Sequence, residues 1–196
     1  MKPKVCVLVF DGLADWEPAH ALCEIRRSGK FDVVTAGFSS NAVVTMGGFR
    51  VTPDVALDAV DWAQVALLIL PGGDMWEQGG RPELKPLLPS LVRKNVPVAA
   101  ICGATLEVAR TGLTRGARHT SNGLKYLKSM APSYADDSTY VDQLAVSDRN
   151  LITASGLGSV EFACEILRKL GVYDDADLAA WFDMFKRGVI PAAYQS

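Results

Sequence analysis

The sequence predicts an α/β protein built on an open, mostly parallel sheet that carries helices on both faces. Short apolar segments rich in β-branched residues alternate with segments of helical periodicity, which is the pattern of successive βα units. Two of the apolar segments, 66–70 and 96–102, are continuous and are therefore typical of strands covered on both faces. The 196 residues, 49% apolar and 21% charged, fit a single domain over residues 1–196 with a sizeable core.

The first half of the chain is predicted to contain three strands of this sheet, one helix and a small β-hairpin. Ser28-Gly29 closes the helix, since glycine readily adopts the left-handed conformation that ends one. Gly47-Gly48 can supply the positive φ angles of a tight hairpin turn. In chain order, the predicted elements are a strand at 4–10, a helix at 15–28, a strand at 31–36, hairpin arms at 42–46 and 49–52, and a strand at 66–70.

The second half is predicted to continue the alternation and to add a late strand pair. The segment 160–170 is amphipathic, with apolar residues at helical spacing. In chain order, the predicted elements are a helix at 83–94, a strand at 96–102, a helix at 103–110, an extended piece at 117–122, a helix at 124–130, strands at 140–146 and 151–154, and helices at 160–170 and 176–186.

Composition and charge exclude several classes of partner. Lys and Arg number 20 against 22 Asp and Glu, so no basic excess indicates nucleic-acid binding. The apolar runs fall short of the roughly 18 residues of a membrane span, and Asp11-Gly12 follows the first run too early for a signal peptide. We therefore expect a cytoplasmic protein without a membrane partner. The 4 cysteines form no Cys-x-x-Cys pair and accompany only 2 histidines, so we expect no disulfide framework, metal or cofactor.

Three loops at one edge of the predicted sheet carry unusual residues, and ligands of such sheets bind beyond the carboxyl ends of the strands. The first loop leads to Glu17 at a helix start, and the second is Pro71-Gly72-Gly73, whose backbone a ligand can approach closely. The third places Cys102 between a buried strand and a helix, which is the geometry of a nucleophile elbow. We predict Cys102 as the nucleophile, with the N–H groups of Gly73 and Gly103 as an oxyanion hole.

The elbow is expected to favour the thiolate of Cys102, because a helix N-terminus stabilises an anion and lowers the pKa of a thiol. Glu17 would share a proton with the sulfur or hydrogen-bond an oxidised form of it. A protonated carboxyl would serve best, since an ionised one opposes thiolate formation. An acid in a first helical turn is also common for structural reasons alone. Trp16 either lines the pocket or covers the helix start, and the sequence leaves both readings open.

Three motifs together resemble the ThiJ/PfpI superfamily: Glu17, Pro71-Gly72-Gly73 and Ala100-Ile101-Cys102-Gly103-Ala104-Thr105. The late segments Thr153-Ala154-Ser155-Gly156 and Glu161-Phe162-Ala163 are similar to the family's C-terminal signature. The resemblance extends from Lys4 to about Leu170. It implies a flavodoxin-like three-layer sandwich of the class I glutamine amidotransferase-like kind, usually a homodimer. It also implies an oxidation-prone cysteine at Cys102 and a functional acid at Glu17.

One position departs from the family pattern. The branch associated with parkinsonism has a histidine near the nucleophile, and the matching residue here is Asn122. Asn122 can orient a substrate or water but cannot accept a proton at neutral pH. His119 is either a catalytic base or a structural residue, because in an extended segment its side chain would lie on the face opposite that of Asn122. Glutaminase activity is not expected, since the His-x-Glu that it needs is absent from 156–161.

Three functions remain open on these observations. In the first, the protein is a cysteine-dependent hydrolase or lyase of the glyoxalase, deglycase or amidotransferase-like kind, and Cys102 attacks a small electrophilic substrate while Glu17 moves protons. In the second, the protein is a non-enzymatic stress-response protein whose Cys102 oxidises to sulfenic or sulfinic acid. In the third, the fold serves as a binding or chaperone module that does not need Cys102.

Overall fold

The structure is a computed structural model and describes residues 2–191. The α-helices in that range are α1 (Trp16–Ser28), α2 (Leu84–Arg93), α3 (Ala104–Arg110), α4 (Leu124–Met130), α5 (Ser159–Leu170) and α6 (Asp175–Arg187). The strands are β1 (Lys4–Val9), β2 (Asp32–Gly37), β3 (Val43–Val44), β4 (Arg50–Val51), β5 (Val55–Ala56), β6 (Val65–Leu70), β7 (Val98–Ile101), β8 (Ala145–Asp148) and β9 (Leu151–Ala154). A 3-10 helix at Asp74–Gln78 follows β6.

One large sheet forms the centre of the protein, with the strand order β5-β2-β1-β6-β7-β9-β8. All of its pairings are parallel except that of the edge strand β8 with β9. Strands β3 and β4 form a separate antiparallel hairpin. The predicted α/β fold is confirmed, with its mostly parallel sheet, helices on both faces and small hairpin.

The position of β6 at the centre of the sheet explains why its sequence is continuously apolar. Successive side chains of a strand point to opposite faces of the sheet. Leu67 and Ile69 therefore pack with α1, α5 and α6, whereas Leu68 and Leu70 pack with α2, α3 and α4. All four side chains are fully buried. Burial of each contributes about 1.5–3 kcal/mol to folding, so both layers of helices are held against the sheet by the hydrophobic effect.

The predicted elements differ from the structure in two places. Strand β8 begins at Ala145, not at residue 140. The predicted extended piece at 117–122 forms one parallel β-bridge, between His119 and Tyr140, in which the His119 N–H donates to the Thr139 carbonyl at 3.2 Å and the His119 carbonyl accepts from the Val141 N–H at 2.8 Å. Strand β5 was not predicted, because two residues are too few to show a periodicity of two.

The strand order places a crevice at the carboxyl edge of the sheet. The chain proceeds outward in opposite directions from β1 and β6, so the loops after these neighbouring strands diverge. The hairpin packs against the loop after β1, where the Gly12 N–H donates to the Val44 carbonyl at 2.8 Å and the Met46 N–H to the Leu13 carbonyl at 2.9 Å. No helix between residues 2 and 191 combines the length and hydrophobicity needed to cross a bilayer.

Candidate active site

Cys102 lies at the turn between β7 and α3, as the sequence predicts. Its φ of 59° is in the left-handed region, which non-glycine residues rarely occupy. Three hydrogen bonds hold the turn: the Cys102 N–H donates to the Ala154 carbonyl at 2.9 Å, and the Cys102 carbonyl accepts from the Thr105 hydroxyl at 2.6 Å and the Thr105 N–H at 3.1 Å. The structure therefore maintains a strained backbone in order to present the half-buried thiol at the edge of the sheet.

Glu17 approaches this sulfur from the first turn of α1. Its side chain is only 1% exposed, and the Gly72 N–H donates to its Oε2 at 2.5 Å. The Glu17 carboxyl also lies next to the thiol of Cys102, and each group affects the pKa of the other. The structure thus brings together the two residues that the sequence predicts as catalytic, from loops that are 85 residues apart.

Two glycines make room for this pair. A Cβ at Gly72 would lie 2.5 Å from the Glu17 Oε2 and 2.6 Å from the Cys102 Cβ. A Cβ at Gly156 would lie 2.9 Å from the Cys102 Sγ. These distances are too short for any side chain, so both positions need glycine for steric reasons. Gly156 was noted only as part of a family signature, and its contact with the sulfur was not predicted.

Asn122 donates a hydrogen bond from Nδ2 to the Cys102 Sγ at 3.3 Å. The Gly156 N–H donates to the other end of the amide, Oδ1, at 2.9 Å. Because a carboxamide oxygen only accepts, this second bond orients the amide so that its NH₂ group faces the sulfur. Asn122 therefore occupies the site as a fixed hydrogen-bond donor.

Tyr126 and Glu77 extend the contacts of Asn122 and were not predicted. The Tyr126 hydroxyl donates to the Glu77 Oε1 at 2.9 Å and also interacts with the Asn122 side chain. Glu77 belongs to the 3-10 helix after β6, and Tyr126 lies one turn beyond Asn122 in α4. Their place near predicted site loops was the available signal, but no sequence pattern links two side chains 49 residues apart.

The expected lowering of the Cys102 pKa is wrong. Burial, followed by the negative charge of Glu17, raises the pKa of Cys102 to about 11, and the hydrogen bonds from Asn122 and the Gly103 N–H only partly oppose this. Burial also raises the pKa of Glu17, against the lowering effect of the Gly72 N–H and of Cys102. The pair resists complete loss of its protons, because two negative charges side by side in a buried site repel each other.

The two glycines predicted to form an oxyanion hole belong to the loops that surround this pair: Gly73 follows Gly72, and Gly103 follows Cys102. The Gly103 N–H is within hydrogen-bonding reach of the Cys102 sulfur. Gly73 is buried, and within residues 2–191 its N–H has no hydrogen-bond acceptor. A Cβ at Gly103 would come within 3.1 Å of the Gly73 carbonyl oxygen, so the two loops are in close contact.

His119 and Trp16 are the predicted accessory residues that the structure does not place against the thiol. His119 is fully buried, and its ring nitrogens are hydrogen-bonded to the Ala117 carbonyl at 2.8 Å and the Tyr134 hydroxyl at 2.7 Å. Both nitrogens are thus occupied, which supports the structural reading of His119. The Trp16 side chain is 53% exposed. Over the described range 2–191, no cluster of His, Cys, Asp and Glu has the composition to hold a metal ion.

Comparison with known proteins shows to which family the chain belongs. Residues 3–169 match the DJ-1/PfpI family. The chain belongs to the DJ-1/PfpI family. YoaZ of Bacillus subtilis, named an uncharacterized protease, is 38% identical over 192 residues, which cover 93% of this chain and 90% of YoaZ. Deglycase TK1284 of Thermococcus kodakarensis is 29% identical over 150 residues, covering 75% of this chain and 90% of that protein.

A solved structure of the DJ-1 superfamily shows the same fold over the whole domain. Atu0886 of Agrobacterium tumefaciens superposes with a TM-score of 0.87 and 33% identity, covering 96% of this chain and 99% of the other. The ThiJ/PfpI resemblance inferred from the motifs, and the flavodoxin-like sandwich that it implies, are both confirmed. Names among the relatives of this DJ-1/PfpI protein span protease and deglycase, so family membership leaves the reaction open.

Proposed function

We propose that this member of the DJ-1/PfpI family is a cysteine-dependent enzyme of the glyoxalase or deglycase type. Its substrate would be a small α-oxoaldehyde, either free or as a hemiaminal, from which the sulfur displaces the amine as the C–S bond forms. Cys102 would be the nucleophile, Glu17 the general base, and the N–H groups of Gly73 and Gly103 the donors to the oxyanion. The name of the relative from Thermococcus kodakarensis supports this class of reaction.

The observation that carries the proposal is the pairing of Cys102 with Glu17. The thiol and the buried carboxyl lie side by side, since a Cβ added at Gly156 would lie 2.9 Å from the Cys102 Sγ and 3.4 Å from the Glu17 Oε1, and burial raises the pKa of Glu17 above its ordinary value. A carboxylate with a raised pKa is a stronger base than an exposed one. Glu17 is therefore suited to take the thiol proton while the sulfur attacks, so that no free thiolate is needed beforehand.

The chemistry follows from this arrangement. The Cys102 Sγ forms a bond to the carbonyl carbon, its proton passes to Glu17, and the carbonyl π electrons move onto oxygen, where the N–H groups of Gly73 and Gly103 stabilise them. Glu17 returns the proton, which completes a hemithioacetal. With an α-oxoaldehyde, Glu17 then moves a proton from the hemithioacetal carbon to the neighbouring carbon, and the hydroxyl proton passes to the neighbouring carbonyl oxygen, which gives a thioester and a new hydroxyl group. Water hydrolyses the thioester to a 2-hydroxy acid and restores the thiol.

The alternative of a non-enzymatic redox protein fits the electrostatics less well. Peroxide reacts with a thiolate, and reactive redox cysteines usually have lowered pKa values. Here burial and the charge of Glu17 raise the pKa of Cys102 to about 11. Such a thiol is slow toward peroxide at neutral pH, whereas a bound electrophile next to Glu17 can still react.

The test is conversion of methylglyoxal, followed by proton NMR of the 2-hydroxy acid product. Wild-type protein should produce it, and both Cys102→Ser and Glu17→Gln should lose at least about 100-fold in rate. Cys23→Ser is the matched control, because Cys23 is an exposed thiol on α1. Equal conversion by Cys102→Ser and wild type would contradict the proposal. Selective peroxide oxidation of Cys102 without any turnover would instead support the redox function.

We also propose that the protein acts as a homodimer. Three large apolar side chains are exposed near the hairpin and the start of α1: Trp16 by 53%, Met46 by 46% and Phe49 by 67%. The hairpin is bonded to the loop that leads into α1, so these side chains belong to one region of the surface. Burial of such a patch in a dimer would remove it from water.

A further inference from the structure

A second chain of hydrogen bonds reaches the sulfur of Cys102 and does not involve Glu17. It runs from Glu77 through Tyr126 and Asn122, and it joins three segments that are distant in sequence. The thiol itself lies at the end of this chain.

The polarity of the chain is fixed from its outer end. The Tyr126 hydroxyl donates its proton to the Glu77 Oε1 at 2.9 Å. Its oxygen can therefore act only as an acceptor toward the Asn122 side chain, with which it interacts. The Asn122 Nδ2 carries two protons and donates one to the Cys102 Sγ at 3.3 Å, which leaves the other for Tyr126.

Both ends of the Asn122 amide are therefore satisfied in a single orientation. Its Oδ1 accepts the Gly156 N–H at 2.9 Å, while its NH₂ group has Tyr126 and the sulfur as acceptors. A flipped amide would put its oxygen against the Tyr126 oxygen and the sulfur, and its NH₂ against the Gly156 N–H. Because Asn122 is exposed on the solvent side, packing alone does not prevent that flip.

We propose that Tyr126 and Glu77 are positioning residues that hold Asn122 as a hydrogen-bond donor to the reacting sulfur of Cys102. The inference rests on the proposed function only in taking Cys102 as the nucleophile. Through Asn122, the pair stabilises negative charge on the sulfur as the thiol proton leaves. Burial, followed by the hydrogen bond to Glu77 and its charge, raises the pKa of Tyr126, and the charge of a Cys102 thiolate adds to this effect.

The first measurement is the rate of alkylation of Cys102 by iodoacetamide across pH, with the labelled peptide identified by mass spectrometry. Tyr126→Phe removes the acceptor for one Asn122 proton and should slow alkylation about three- to tenfold, with the rate profile displaced to higher pH. Tyr140→Phe is the matched control, since within residues 2–191 the buried Tyr140 hydroxyl has no hydrogen-bond partner. It should leave the profile unchanged.

A double-mutant cycle distinguishes positioning from a general structural role. If Tyr126 acts through Asn122, Tyr126→Phe should have almost no effect on alkylation in an Asn122→Ala background. Equal slowing by Tyr126→Phe in both backgrounds, or a Tyr126→Phe profile that matches that of Tyr140→Phe, would overturn the inference. Alkylation needs no substrate, so coupling that persists in a protein without aldehyde turnover would refute the proposed function alone.

Discussion

Replacing Glu17 by Gln tests the electrostatic account of the site most informatively. The carboxylate of Glu17 raises the pKa of Cys102 through its charge and through the hydrogen bond that it accepts from the thiol. A glutamine keeps an oxygen that can accept the Gly72 N–H, which now donates at 2.5 Å, and it turns an NH₂ group toward the sulfur. The substitution thus replaces a charge that opposes the thiolate by a donor that favours it.

The size of the effect follows from two opposing terms. An adjacent like charge displaces a pKa by about 1–3 units, so loss of the carboxylate should lower the Cys102 pKa by about 1–2 units and raise the thiolate fraction at neutral pH about 10- to 100-fold. Thiolates of lower pKa are weaker nucleophiles, with a Brønsted coefficient of about 0.4–0.5. The net expectation is iodoacetamide labelling of Cys102 that is about 3- to 10-fold faster, together with loss of aldehyde turnover.

The assay is the labelling rate of the Cys102 peptide in wild type and Glu17→Gln over a range of pH. Glu24→Gln is the matched control, because Glu24 is also a buried acid on α1 but bonds to the Tyr173 hydroxyl. Slower labelling of Glu17→Gln than of wild type would refute the reasoning. It would mean that Glu17 is protonated at rest and donates its proton to an existing thiolate.

The remaining predictions concern stability, packing and assembly. Because the folded-state pKa of Glu17 is raised, wild type should lose stability as pH rises from the unfolded-state pKa to the folded-state pKa, whereas Glu17→Gln should not. The melting temperature of Glu17→Gln should therefore exceed that of wild type at pH 8 but not at pH 4, by about 2–4 °C for each kcal/mol of unfolding free energy that wild type loses. Equal differences in melting temperature at both pH values would count against this prediction. Gly156→Ala should lower the free energy of unfolding in denaturant by about 1–3 kcal/mol and change the rate of Cys102 labelling, since the added Cβ would lie 2.9 Å from the sulfur. Unchanged stability and an unchanged labelling rate would show that the residues around Gly156 move aside without cost. Phe49→Asp should shift sedimentation from dimer to monomer by charging the exposed hairpin, and a wild-type monomer would refute the proposed dimer.

The fold was predictable because the sequence patterns that indicate its strands and helices are local and recur along the chain. The continuously apolar strands indicated a parallel sheet, and parallel strands end at the same edge, which is why Glu17 and Cys102 could be expected to meet. The late segment 140–146 was misleading, since its apolar residues are typical of a strand, whereas the backbone before Ala145 bonds to loop residues, as when the Val141 N–H donates to the His119 carbonyl. Whether such an apolar segment pairs with a strand of the sheet depends on which distant segments lie beside it, and the sequence alone does not specify them.

The electrostatics of the site were less predictable than its composition. The helix after Cys102 suggested a lowered pKa, but burial and the charge of Glu17 raise the pKa of Cys102 more than the hydrogen bonds from Asn122 and the Gly103 N–H lower it. Tyr126 and Glu77 were missed for a related reason. Their importance lies in one contact between separate loops, and a contact of that kind leaves no periodicity or spacing in the chain.

Direct titration of the Cys102 sulfur tests the central claim, which is that the resting nucleophile is a thiol that Glu17 deprotonates during attack. The measurement is the ultraviolet absorbance of the thiolate in wild type minus that in Cys102→Ser, recorded against pH, with circular dichroism to confirm that both proteins stay folded. The account predicts no thiolate signal at neutral pH and a midpoint near pH 11, where the pKa of Cys102 is raised to about 11. A signal already complete at neutral pH would contradict it.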